Sequence, residues 1–98
     1  MLEVSILLDY YKNLLSDRQK EYLLEHFEED LSLTEIGKKH NVSRQAVYDN
    51  IKRGIKILRG YENKIGFYKR DRELLAQLKD LRENFSKKKL DEIIEKNF

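Results

Sequence analysis

Apolar positions recur along this chain at helical spacing. They are densest at the start, with Leu2, Val4, Ile6, Leu7, Leu8, Tyr10, Tyr11, Leu14 and Leu15. This predicts a helix over 2–14 that is apolar on several sides. Such a helix must sit deep in its domain or against a second copy. Ser16 with Gln19 has the spacing of a capping box and opens a second helix over 17–27. Its apolar face is Tyr22, Leu23, Leu24 and Phe27. Ser32 with Glu35 repeats the pattern and starts a third helix at Leu33. Ile36 and Gly37 face inward there, with Gly37 leaving room for a crossing helix. Asn41 falls where the chain must turn, and Asn tolerates the left-handed conformation. Val42 plugs the turn and Ser43 caps a fourth helix. Val47, Ile51, Ile55 and Leu58 form its buried face, and Gly54 permits close packing. This helix is expected to run to about Arg59, with Gly60 a stop or a bend and Gly66 another; helix between them, through Tyr61, Lys64 and Ile65, stays open.

Beyond Gly66 a fifth helix is expected from Phe67 to about Asn84. Leu74, Leu78, Leu81 and Phe85 mark one face and Leu75 widens it. Ser86 caps a last helix to about Lys96, with Leu90, Ile93, Ile94 and Phe98 apolar. The expectation is an all-α helix-turn-helix bundle with extra N-terminal and C-terminal helices. Its three-helix core is winged-helix-like but has no wing. One domain spans 1–98, with the helix-turn-helix core at 16–59 and a helical extension at 60–98.

Composition narrows the function. The chain has 98 residues and neither cysteine nor proline. That excludes disulfides, thiolate metal sites and a cysteine nucleophile, and suits a reducing cytoplasm. The start of the chain carries Glu3 and Asp9 without a basic leader, so no signal peptide is expected. No apolar run approaches the roughly 20 residues that span a bilayer. A cytoplasmic protein without membrane insertion is the expectation. The net charge of +2 is unevenly spread: −5 over 1–31, +7 over 32–72 and zero over 73–98. The positive stretch coincides with the helix-turn-helix, where an anionic partner would lie.

The second helix of that motif normally enters the DNA major groove. Arg44, Gln45, Tyr48, Asp49 and Lys52 occupy its polar face and are the candidate base contacts. Arg reads guanine and Gln reads adenine through paired hydrogen bonds. Asp49 repels phosphate but can accept from a cytosine amine. Lys38, Lys39, Arg53, Lys56 and Arg59 are the candidate phosphate contacts, which set register. Lys69, Arg70 and Arg72 crowd the start of the fifth helix against its macrodipole, which suits a phosphate or an acidic partner. His26 with Glu29 lacks a ligand cluster, and His40 reads as structural or phosphate-adjacent. No metal site or cofactor is expected. The acids look like solvated helix faces. There is no glycine-rich phosphate loop and no Ser/His/Asp set in a motif, so neither an enzyme nor a small-molecule substrate is expected.

From Leu15 to Leu58, LSDRQKEYLLEHFEEDLSLTEIGKKHNVSRQAVYDNIKRGIKIL resembles region 4 of a bacterial sigma factor, which reads the promoter −35 element. There is no room for region 2, which binds core polymerase and the −10 element, so a complete sigma factor is not expected. End to end, the chain resembles the YlxM-type family of small bacterial proteins, above all in LDYYKNLLSDRQ and NVSRQAVYDNIKR. The genes of that family lie beside those for the signal recognition particle (SRP) GTPases. The resemblance therefore implies a regulatory role connected to the SRP pathway, and DNA binding through the motif. Two functions stand. One is a DNA-binding regulator, homodimeric through its N-terminal and C-terminal helices. The other is a protein or ribonucleoprotein adaptor on the SRP GTPase or its RNA, without sequence-specific DNA binding.

Overall fold

The structure, a computed structural model, describes residues 2–98. Its elements are α1 (Leu2–Tyr11), a 3-10 turn (Lys12–Leu14), α2 (Asp17–Phe27), α3 (Leu33–His40), α4 (Arg44–Ile65), α5 (Phe67–Glu83) and α6 (Lys87–Asn97). No strand occurs among the described residues, and the helix-turn-helix bundle expected from the sequence is present. Among the described residues no helix is long and apolar enough to cross a membrane. The chain divides into two compact units, Met1–Ile65 and Gly66–Phe98.

In the first unit, helix starts are set by side chains that satisfy orphan backbone N–H groups. Ser16 Oγ accepts the Gln19 N–H at 3.3 Å, so only the serine half of that expected capping box forms. The box at α3 is complete: Ser32 Oγ accepts the Glu35 N–H and Glu35 Oε1 accepts the Ser32 N–H, both at 3.0 Å. α4 packs against α1, α2 and α3 and is the spine of this unit. Val47, Ile51 and Leu58 of α4 are buried, as are Val4, Leu8 and Tyr11 of α1, Tyr22 and Leu23 of α2, and Ile36 of α3, the helices against which α4 packs. Each fully buried Val, Leu or Ile contributes about 1.5–3 kcal/mol. Ile55 is only half-buried, contrary to its place on the expected buried face. Gly54 takes that position instead, and a Cβ there would lie 2.7 Å from Leu23 Cδ1.

Two expectations about length change. α1 ends at Tyr11 and gives way to the 3-10 turn. Its Val4, Leu7, Leu8 and Tyr11 are buried within the unit, while Leu2 and Leu14 are exposed. The apolar excess of α1 is thus largely absorbed by its own unit. α4 does not stop at Gly60 but continues to Ile65, 22 residues in all. The cost of a mid-helix glycine is about 1 kcal/mol. Contacts with α1 offset it. Tyr11 donates to Glu62 Oε1 at 2.6 Å, and the Tyr61 ring stacks on Tyr11 with centroids 6.0 Å apart. Tyr61 also donates to the Leu14 carbonyl at 3.3 Å.

The second unit opens at Gly66, whose φ of 73° is left-handed and ends the preceding helix. α5 and α6 pack together around Leu81 and Ile93. Ser86 Oγ caps α6 by accepting the Lys89 N–H at 3.4 Å. Lys89 pairs with Asp80 at 3.1 Å, and Asn97 donates to Gln77 at 3.3 Å. The expected face of α5 is only partly covered. Leu81 is buried and Leu74 half-buried, but Leu75, Leu78 and Phe85 are exposed, as are Ile94 and Phe98 of α6 and its end. The cations at the start of α5 lie over aromatic rings: Arg70 is 5.1 Å from the Phe67 centroid and Arg72 is 4.6 Å from that of Tyr68. Cation–π attraction, about 0.5–1 kcal/mol at an exposed site, counters the unfavourable macrodipole there.

Candidate nucleic-acid interface

The turn between α3 and α4 is built from three residues with distinct tasks. Asn41 has φ 56° and ψ 45°, the left-handed conformation that reverses the chain. The Val42 N–H then donates to the Gly37 carbonyl at 2.9 Å, which closes the end of α3. Ser43 Oγ accepts the Ala46 N–H at 3.0 Å and starts α4. Gly37 is needed for the turn itself. A Cβ there would stand 2.8 Å from the Val42 carbonyl oxygen and 3.5 Å from the Arg44 N. The close approach is therefore to turn backbone and to the first residue of α4.

Arg44, Gln45, Tyr48, Asp49 and Lys52 are all exposed on α4. Their spacing of three and four residues makes one stripe, opposite the buried Val47, Ile51 and Leu58. Within the stripe Gln45 donates to Asp49 Oδ1 at 3.0 Å, so the carboxylate is matched by an amide one turn away. Tyr48, 44% exposed, is the aromatic residue of the stripe.

The five candidate phosphate contacts are divided. Lys38 and Lys56 are exposed. Arg53 leans on Asn50 Oδ1 at 3.5 Å, and Asn50 is itself held by donating to the Ala46 carbonyl. Lys39 is paired with Glu25 at 3.3 Å. Arg59 Nε donates to Glu3 Oε1 at 2.8 Å, across from α1. Lys52, Arg53, Lys56 and Arg59 border an open groove along α4 that continues past Gly60 to Asn63.

Sequence reasoning missed an acidic and histidine cluster beside this surface. Glu25 is 3% exposed although the acids read as solvated faces. His40 Nε2 lies 2.6 Å from Glu25 Oε1 and 3.5 Å from Glu21 Oε1. The His40 ring packs on Tyr22 with centroids 5.0 Å apart. The signal was available, because Glu25 follows the buried Tyr22 by three residues and shares its face. His26 has a different role: its Nδ1 is 2.7 Å from the Leu31 carbonyl and ties the end of α2 to the loop. In that loop Asp30 is left-handed, with φ 57°. The Ser32 backbone N–H and hydroxyl hold the exposed Glu35 carboxyl below the usual glutamate range.

Comparison with known proteins follows this geometry. A family model described as "Putative helix-turn-helix protein, YlxM / p13 like" matches residues 1–97. A UPF0122 protein of Fusobacterium nucleatum is 54% identical over 94 residues, covering 96% of this chain and 91% of the relative. One from Malacoplasma penetrans is 42% identical over 81 residues, covering 80% and 76%. One from Geobacillus kaustophilus is 42% identical over 82 residues, covering 81% and 74%.

Proposed function

This chain belongs to the UPF0122 family of YlxM/p13-like helix-turn-helix proteins, and we propose that it is a DNA-binding regulator. The reading assigns Arg44, Gln45, Tyr48, Asp49 and Lys52 to base edges in the major groove. Lys38, Arg53 and Lys56 then hold phosphates, while Lys39 and Arg59 divide their charge between phosphates and their carboxylate partners. One observation carries this: the exposed stripe begins at the first turn of α4, directly after a left-handed Asn41 and a serine cap. Helix-turn-helix proteins read bases from that first turn. The protein acts in the cytoplasm as a homodimer, so two copies of α4 address two half-sites. Leu75, Leu78, Ile94 and Phe98 are exposed and available for that pairing. Its regulatory role connects to the SRP pathway, as the sequence resemblance implies.

A second reading is favoured by the same exposed side chains of α5 and α6. They would serve an adaptor that docks on the SRP GTPase or its RNA, with no DNA site. Salt separates the readings. Groove binding loses affinity steeply with added salt through counterion release, and an apolar protein interface does not. The test is selection of duplexes from a random pool, followed by titration at two salt concentrations. A selected duplex that binds more tightly than its scrambled version supports the DNA reading, and failure to bind any duplex overturns it.

A further inference from the structure

We propose that Glu21, Glu25 and His40 form a binding site for a divalent transition-metal ion of the Zn2+ class, where α2 meets the end of α3. The inference is independent of whether the protein binds DNA.

Glu21 and Glu25 are one turn apart on α2 and share a face. His40 is the last residue of α3. One oxygen from each carboxylate and one imidazole nitrogen lie within 4.8 Å of one another, the one such group among the described residues. His40 Nε2 is 2.6 Å from Glu25 Oε1 and 3.5 Å from Glu21 Oε1. Around a tetrahedral ion with ligands at about 2.0 Å, ligand atoms stand about 3.3 Å apart. The two separations from His40 bracket that value and the two carboxylate oxygens lie within 4.8 Å of each other, so the site needs shifts of about an ångström or two. Glu21 can supply them, because its side chain is half-exposed.

The donor chemistry narrows the ion. An imidazole with two carboxylates suits Zn2+, Mn2+ or Fe2+, whereas Mg2+ and Ca2+ prefer oxygen alone. Two carboxylates neutralise a dication. Three protein ligands leave a further position to water on the open side of Glu21. The setting is already fixed. The His40 ring is braced on Tyr22, and Glu25 is buried with Lys39 Nζ on its Oε2 at 3.3 Å. His40 Nε2 also lies 3.1 Å from Glu25 Oε2, the oxygen that Lys39 holds, so Lys39 occupies the same carboxylate that a metal ion would use. It is a rival cation, half-exposed and able to swing away. Metal ligation requires a neutral imidazole and ionised carboxylates, so affinity falls as pH is lowered.

The experiment is titration of the metal-free full-length protein with Co2+, read by its visible d–d absorption, with Zn2+ as displacer. The expected result is one saturable site per chain. Glu21→Gln, at a half-exposed position that leaves the core intact, should weaken it by about tenfold or more, since losing even an outer-shell partner costs about 10–100-fold. His40→Gln should remove it, Lys39→Gln should tighten it, and His26→Gln should leave it unchanged. Circular dichroism checks that each variant stays helical. If His40→Gln unfolds, the Glu21→Gln result decides. No absorption at millimolar Co2+ overturns the proposal. So does binding that survives both Glu21→Gln and His40→Gln, which would be an adventitious ion only.

Discussion

Replacing Gly37 with alanine sets helix propensity against the geometry of the turn. Gly37 lies inside α3, so the substitution gains about 1 kcal/mol of propensity. The new Cβ would stand 2.8 Å from the Val42 carbonyl oxygen. That oxygen is backbone and cannot rotate away. Val42 is also tied to Gly37 by the 2.9 Å bond from its N–H to the Gly37 carbonyl, so relieving the contact stretches the bond that closes α3. Forcing an extra carbon into a tight site costs about 1–3 kcal/mol. The clash should win, with a net loss of up to about 2 kcal/mol. In a domain of this size each kcal/mol moves the melting temperature by about 4–8 °C. Gly60 is the internal control. A Cβ there meets nothing within 4 Å, so Gly60→Ala should gain about 1 kcal/mol and melt higher. Gly54→Ala should also melt lower than the parent, by less than Gly37→Ala. Its clash, at 2.7 Å, is with the end of the Leu23 side chain, which is buried but can change rotamer. The assay is thermal and urea unfolding followed by far-ultraviolet circular dichroism. If Gly37→Ala melts at or above the parent, or Gly60→Ala melts below it, the reasoning is refuted.

Other substitutions test other links. Ile51 is 6% exposed in the core of the first unit, and Ile51→Ala should cost about 2–5 kcal/mol by chemical denaturation; an unchanged midpoint would contradict its placement. The Glu35 carboxyl sits below its ordinary value of 4.5, so its contribution is fully present above that pH and is lost as acid protonates the folded form. The stability gap between the parent and Glu35→Ala should therefore be constant from neutral pH to about 5 and shrink below it, and a gap that persists at pH 3 would exclude a charge-assisted cap. If the first turn of α4 reads bases, Arg44→Ala should cost roughly 1–3 kcal/mol on the selected duplex and blur its preference. Lys56→Ala should weaken all duplexes alike and lower the salt slope by about one unit, and equal losses for both variants on both duplexes would reduce the binding to non-specific adhesion.

The helix-turn-helix was legible because its signals are local. Ser32 and Glu35 satisfy each other's backbone three residues apart, Asn41 supplies the left-handed residue, and Ser43 caps α4. Each depends on neighbours in the chain, so pattern suffices. The length of α4 was only partly legible: Gly66 marked its end, but whether Gly60 stopped it first stayed open. Gly60 is a sound local stop, and what overrides it comes from Tyr11 and Leu14, about fifty residues away. The exposed side of α4 was legible, because Val47 and Ile51 set the helical phase. The partners of Lys39 and Arg59 were hidden, since Glu25 and Glu3 belong to other helices. The burial of Glu25 was readable from Tyr22 three residues before it, but its pairing with His40 of another helix was hidden for the same reason. In the second unit the apolar period of α5 was real but overstated its burial, because only α6 packs against that helix within the unit.

The unbroken span of α4 gives the first unit a single rod. From Arg44 to Glu62 the helix covers about 27 Å at 1.5 Å per residue. Its far end is gripped by Tyr11 and Tyr61, and its near end carries the exposed stripe. The near half of α4 is packed on α2 and α3, so the stripe is held in the same frame as the grip. A helix broken at Gly60 would have put a hinge between the two and left Tyr11 holding only a detached tail.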